Sequence, residues 1–202
     1  MNSRVLSCEA AAPQGHGSEP PSAWVRRWSP WVPTGASVLD VACGLGRHTR
    51  WFLARGHPVC AVDRSAAAID AVRGLVTDGA GDRLETRVAD LETGPWPLAG
   101  RRFDAVIVTN YLWRPLLPTI VGSVADSGVL IYETFAVGNE TVGRPARAEF
   151  LLQPGELIAA CAGLRVLAYE DGYLDDPPRF VQRIAAIRAG PGDAWPRLPL
   201  GR

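Results

Sequence analysis

Short apolar runs alternate with amphipathic segments through the middle of the chain, and that alternation predicts its elements. Buried strands are expected over 37–41, 59–62, 86–89, 103–108 and 128–132, the third being the weakest of the five. Helices are expected between them, over 47–55, 65–76 with Ser65 as N-cap, and 113–125. Alternating strands and helices imply a largely parallel sheet with helices on both faces. The C-terminal part reads differently. A helix over 154–162 is followed by two strands, 164–170 and 180–188, joined by the turn-rich GYLDDPP with no helix between them. Strands connected in that way pair antiparallel. The expectation is therefore a doubly wound α/β fold: a mostly parallel seven-stranded sheet ending in an antiparallel hairpin.

Upstream, Trp24, Trp28 and Trp31 recur at the spacing of one helix face, with Arg26 and Arg27 opposite, which predicts an amphipathic helix over 21–31 ended by Pro30 and Pro33. Two roles are open to it, a lid over a pocket or packing against the sheet. Residues 1–20 are small, polar and rich in Pro and Gly, and are expected to form a flexible leader. Residues 21–202 read as one domain, with 21–33 as its N-terminal helix. The stretch 136–153 is irregular and long, and loops of that length within a compact domain usually carry function. It is expected to cover a substrate, with Asn139, Arg144 and Phe150 lining the site.

The chemistry concentrates where strands end. Asp40 closes the first strand, and Ala42-Cys43-Gly44-Leu45-Gly46 turns directly into the helix that carries His48. Glycine lets backbone turn sharply and lets a ligand approach its N–H groups, although such turns also arise from packing alone. Asp63 closes the second strand, 19 residues after Gly44, the spacing at which doubly wound nucleotide sites hold ribose hydroxyls; its alternative role is to complement the following helix dipole. Asp90 and Leu91 follow the third strand, and Thr109, Asn110 and Tyr111 the fourth. Open α/β sheets bind ligands at this carboxyl edge.

The segments LDVACGLGRH, AVDRS, VADLE and FDAVIVTNYL resemble the motifs of the class I S-adenosylmethionine-dependent methyltransferases, with the likeness covering about residues 36–188. Within that group DVACGLGRH and YETFAVGNETVG are similar to small bacterial members of the tellurite-resistance methyltransferase-like kind. The resemblance implies a Rossmann-like fold and S-adenosylmethionine as cofactor. It places Asp40, Gly44 and Gly46 at the methionine end, Asp63 at the ribose, Asp90 and the Leu91 N–H at the adenine edge, and Thr109 and Asn110 near the sulfonium, with Ala42 and Arg64 also at the cofactor. Ala42 departs from the glycine often found in the family, so the turn has to tolerate a methyl group. A nicotinamide cofactor fits less well, because the G-x-G-x-x-G fingerprint requires glycine where Thr49 stands.

A sulfonium is an activated leaving group, so alignment of donor and acceptor supplies most of what the reaction needs and a base is optional. His48, Tyr111 and Glu133 are the catalytic candidates. His48 alternatively lines the cofactor pocket, and Glu133 is alternatively a solvated charge at the sheet edge.

Composition narrows the function further. The 202 residues carry 21 basic and 21 acidic side chains, a net charge of zero that disfavours nucleic-acid or membrane-surface binding, while the enclosed pocket expected between the 136–153 segment and the tryptophan helix favours a small-molecule acceptor. An RNA or protein acceptor, and a cofactor-binding protein without catalysis, are the alternatives. Every basic residue is Arg, which excludes chemistry that depends on a lysine amine. The four cysteines, Cys8, Cys43, Cys60 and Cys161, are widely spaced and read as reduced thiols of a cytoplasmic protein. No metal site and no membrane span are expected, and the chain is expected to be a monomer or homodimer.

Overall fold

The computed structural model describes residues 19–75 and 81–192. The expected leader therefore lies, up to residue 18, outside the described residues, as does the end of the helix expected to reach Val76. Seven strands form one sheet in the order β3-β2-β1-β4-β5-β7-β6. They are β1 Val38–Val41, β2 Val59–Asp63, β3 Leu84–Val88, β4 Phe103–Thr109, β5 Val124–Phe135, β6 Arg165–Asp175 and β7 Pro178–Ile187. The first five are parallel to one another; β7 runs antiparallel to both β5 and β6. The doubly wound sheet with a C-terminal hairpin is thus present as expected, and it is Rossmann-like.

Central strands need apolar residues on both faces, and this is why β1 and β4 read as unbroken hydrophobic runs. Leu39, Val41, Val106, Val108 and Leu130 face one core, which is covered by α4 (Leu117–Gly122) and α5 (Glu156–Ala160). Ala105, Ile107, Val129 and Ile131 face the other, covered by α1 (Ala23–Trp28) and α2 (Arg47–Leu53). On that side α3 (Ala66–Arg73) also packs Ile69 and Val72 over Ala61 of β2. Trp24 and Trp28 are buried in this second layer, and the Trp24 Nε1–H donates to the carbonyl of Ile184 at 3.1 Å. Of the two roles open to the tryptophan helix, packing on the sheet is the one its rings perform. The helix proper stops at Trp28 and tightens to a 3₁₀ turn, Ser29–Trp31, because Pro30 supplies no N–H.

Three boundaries differ from expectation for identifiable reasons. The helix expected over 113–125 reduces to a 3₁₀ turn, Arg114–Leu116, and the six-residue α4. Two prolines, Pro115 and Pro118, occupy that stretch, and the Ser123 hydroxyl donates to the Thr119 carbonyl. Strand β5 then begins at Val124, four residues early, through a register shift opposite Phe103 and Ala105. In the hairpin β6 runs on through Gly172 to Asp175 and β7 begins at Pro178, leaving only Asp176 and Pro177 to turn. Strand β3 is half exposed and lies at the sheet edge, which explains its weak hydrophobic signal. Among the described residues no helix is long and apolar enough to cross a membrane.

Candidate functional site

The carboxyl ends of β1 to β4 converge on one edge of the sheet, where the turn after β1 is stitched to the end of β2. Ala42, Gly44 and Gly46 all have positive φ, at 52°, 54° and 80°. The Cys43 N–H donates to the Val62 carbonyl at 3.0 Å, and the Gly44 N–H donates to Asp63 Oδ2 at 2.9 Å. Asp63 Oδ1 accepts the Ser65 N–H at 2.8 Å. The carboxylate is thus fixed by two backbone donors, and each of its oxygens keeps a lone pair for a ligand. Asp63 also receives the third strand, since its carbonyl accepts the Ala89 N–H. Beyond that strand Asp90 organises its own turn: Oδ1 accepts the Glu92 N–H at 2.9 Å and Oδ2 the Thr93 hydroxyl at 2.6 Å. The Thr93 hydroxyl, foremost, with the Glu92 and Thr93 N–H groups holds the Asp90 carboxyl below the usual range.

Two clefts share Ala42. The larger, 460 Å³, is lined by Asp63, Arg64, Asp90, Leu91 and Tyr111, joined by Arg147 and Phe150 from the 136–153 segment. The smaller, 240 Å³, is lined by Gly44, Arg47, His48, Thr109, Asn110 and Glu19. Ten residues expected at the cofactor were dispersed along the sequence from Asp40 to Asn110; nine of them line these clefts or form the turn between them. Asp40 itself is buried behind the turn, with its Oδ2 accepting the Thr49 hydroxyl at 2.7 Å. Burial raises its pKa to about 6 against the lowering effect of that hydrogen bond.

His48 is buried between the N-cap of α1 and the end of β4. Its Nε2 accepts the Ser22 N–H at 3.2 Å, so the ring proton is on Nδ1, which lies 3.3 Å from the Thr109 hydroxyl. Desolvation, with a smaller contribution from Arg47, lowers its pKa to about 3. The geometry makes His48 a neutral pin that lines the smaller cleft. Tyr111 behaves differently. Its phenolic oxygen is buried without a hydrogen-bond partner at the wall of the larger cleft, and burial raises its pKa. A polar ligand group there would satisfy it.

Glu133 is not at a solvated edge. It is 1 % exposed, beside Thr109 in register, with Oε1 3.7 Å from Arg179 and Oε2 3.5 Å from Arg183. Arg183 continues to Glu170, and Glu170 to Arg27 at 3.0 Å. Asn139 is also withdrawn from any cleft: its amide nitrogen donates to the Pro145 carbonyl at 2.9 Å and its oxygen accepts the Phe180 N–H at 3.2 Å, tying the 136–153 segment to β7. Arg144 is exposed and lines neither cleft, whereas Phe150 lines the larger one.

Three residues escaped the sequence reading. Glu19 reaches the smaller cleft, with Oε2 3.6 Å from Arg47. Arg147 sits over the Phe150 ring, 4.7 Å from its centroid. Arg114 forks onto Glu156 at 2.7 and 2.9 Å and donates to the carbonyls of Glu149 and Leu151 at 2.7 and 2.8 Å. Only Arg147, three residues before an aromatic in a long loop, left a sequence signal. Among the described residues no three His, Cys, Asp or Glu side chains gather as a metal site.

This architecture is the class I methyltransferase fold. Residues 38–127 match a methyltransferase domain family. The fold is similar to that of TehB from Haemophilus influenzae, at 19 % identity and TM-score 0.64, over 82 % of this chain and 61 % of that one. A TehB-like S-adenosylmethionine-dependent methyltransferase from Corynebacterium glutamicum matches at 17 % identity and TM-score 0.60, over 82 % and 86 % of the two chains. The glycopeptide N-methyltransferase MtfA, in complex with S-adenosyl-L-homocysteine, matches at 16 % identity and TM-score 0.62, over 85 % and 91 %. The chain spans about three fifths of the Haemophilus protein's length. No curated protein sequence matches it.

Proposed function

We propose that the protein is an S-adenosylmethionine-dependent methyltransferase acting on a small-molecule acceptor. One observation carries the reading: one cleft brings the carboxylate that ends β2 together with the Asp90-Leu91 turn after β3, and the second cleft, which shares Ala42 with it, is lined by Gly44 and Thr109. The residues fit an adenosyl group. Asp63 has free lone pairs for ribose hydroxyls, Leu91 gives an apolar wall, and the orphaned Tyr111 hydroxyl calls for a polar partner. At the other end Arg47 offers a guanidinium to a carboxylate and Glu19 a carboxylate to an ammonium.

When bound, the cofactor supplies an electrophilic methyl group on sulfur. The protein's part is to orient and to exclude water. Asn110, held at φ 54° with its N–H on the Glu133 carbonyl, fixes the rim of the smaller cleft beside Thr109. Proximity and alignment alone contribute as much as ~7–11 kcal/mol in favourable cases. Glu133 is screened by two guanidiniums and His48 is held neutral, so neither needs to move a proton for the transfer. The clefts' combined size suits a cofactor with a compact acceptor. Arg47 at the smaller cleft is paired with Glu19, and Arg147 at the larger with Glu149, which disfavours a polyanion.

Titration calorimetry with S-adenosyl-L-homocysteine should give a one-site binding isotherm. Incubation with methyl-labelled cofactor and cell extract should then place label in small molecules. Label confined to RNA or protein would overturn the acceptor class, and cofactor binding with no transfer to any fraction would leave a binding protein without catalysis.

A further inference from the structure

The sequence predicts that the 136–153 segment covers the substrate, but its placement points elsewhere. Its contribution to a cleft is made by Arg147 and Phe150, and both line the cleft that holds Asp63, Asp90 and Leu91; neither reaches the smaller cleft with His48, Thr109 and Asn110. Phe150 is also held firmly. Arg114, entering from the loop after β4, ties its neighbours down: its guanidinium forks onto Glu156 and donates to the carbonyls of Glu149 and Leu151, the residues on either side of Phe150. Leu151 is 2 % exposed, and Leu152 is bridged to Ala136 at the end of β5. A half-buried aromatic ring between two anchored neighbours is presented to the cleft with little freedom left to lose on binding. The Arg147 guanidinium lies over the same ring, 4.7 Å from its centroid.

We propose that Phe150 is a donor-binding residue: it stacks on the adenine ring, so that the segment after β5 closes the donor end of the site and the acceptor enters past the smaller cleft. An aromatic face suits a purine better than an aliphatic wall does, because both ring systems are flat and polarisable. This rests on the cofactor assignment made above. It changes what the segment does, from selecting the acceptor to holding the donor.

The test measures binding of two ligands, S-adenosyl-L-homocysteine and 5′-methylthioadenosine, which share the adenosyl group and differ in the amino-acid end. Phe150→Ala should weaken both by the same factor, roughly five- to hundredfold for a lost base-aromatic stack. Phe150→Tyr should restore both, and Phe150→Leu should not, since it retains apolar bulk without the ring. An unchanged thermal midpoint shows that the variants are folded. If folded Phe150→Ala binds both ligands within about twofold of the parent, the stacking role is wrong, although the parent's own binding stands. If the parent binds neither ligand, the cofactor assignment itself fails.

Discussion

His48 Nδ1 lies 3.3 Å from the Thr109 hydroxyl, while its Nε2 receives the Ser22 N–H, so one imidazole joins the end of β4 to the N-cap of α1. Both ring nitrogens are engaged and the ring is buried, which favours the neutral Nδ1–H form. Nitrogen-15 NMR should show that single tautomer from pH 5 to 8 without a titration near 6.5. His48→Leu would leave the Ser22 N–H and the Thr109 hydroxyl without their partner and should cost about 2 kcal/mol or more in urea unfolding. A ring that titrates with an ordinary histidine midpoint would refute this.

Asp40 and His48 make opposite demands on pH. The folded Asp40 has its pKa raised to about 6 from 3.8, so between pH 4 and 6 the folded chain holds a proton that the unfolded chain has lost, and stability falls as pH rises through that window. The folded His48 has its pKa lowered to about 3 from 6.5, so between pH 3 and 6.5 the unfolded chain holds the extra proton, and stability rises with pH. Over pH 4 to 6 the two slopes cancel. Asp40→Asn should therefore add a rise of about 1.4 kcal/mol per pH unit relative to the parent, and His48→Gln a fall of similar size. Chemical denaturation of the three proteins at pH 4.5, 5.2 and 6 checks the signs.

The fold was legible in the sequence because the features that define it are local. Buried strands such as 103–108 need apolar residues on both faces, and an acid followed by glycines needs only a few neighbouring residues to be recognised. The residues expected at the cofactor come together for the same reason: they lie at or just after the ends of the first four strands, and parallel strands in this order bring those ends to one edge. What stayed hidden depends on distant partners. Glu133 looked like an edge charge because Arg179 and Arg183 lie some fifty residues away on β7. Asn139 looked available because its partners are a proline carbonyl and a strand N–H, which have no side-chain signature. Arg114 is invisible for that reason too. The short α4 shows the converse, a local signal misread, since its two prolines marked the break.

Asp63 should discriminate between shaping the site and binding in it. Asp63→Ala removes the acceptor of both the Gly44 and the Ser65 N–H, loosening the turn as well as losing any ribose contact. Affinity for S-adenosyl-L-homocysteine should fall more than tenfold, equivalent to about 1.4 kcal/mol or more. Asp63→Asn keeps one acceptor oxygen and should lose less than the alanine variant. Equal affinity for all three proteins in calorimetry would remove Asp63 from the site.

Gly44 and Gly46 share a turn and positive φ, yet their alanine variants should fail in different ways. At Gly46 a Cβ would stand 2.7 Å from Val72 Cγ2 and 2.9 Å from Leu75 Cδ1, so alanine forces α2 away from the packing of α3. Left-handed backbone costs about 1–2 kcal/mol for a residue with a Cβ, and overpacking adds about 1–3. At Gly44 a Cβ meets nothing within 4 Å, so only the backbone cost applies, a cost the chain already bears at Ala42 with φ 52°. That open space, however, belongs to the smaller cleft. Gly46→Ala should thus lower the thermal midpoint strongly while leaving the affinity of the folded fraction near the parent's. Gly44→Ala should leave stability within about 1–2 kcal/mol but put a methyl group where the ligand's methionine end has to pass, weakening S-adenosyl-L-homocysteine while largely sparing 5′-methylthioadenosine. Loss of both ligands in equal measure at Gly44 would mean that the smaller cleft does not receive the amino-acid end.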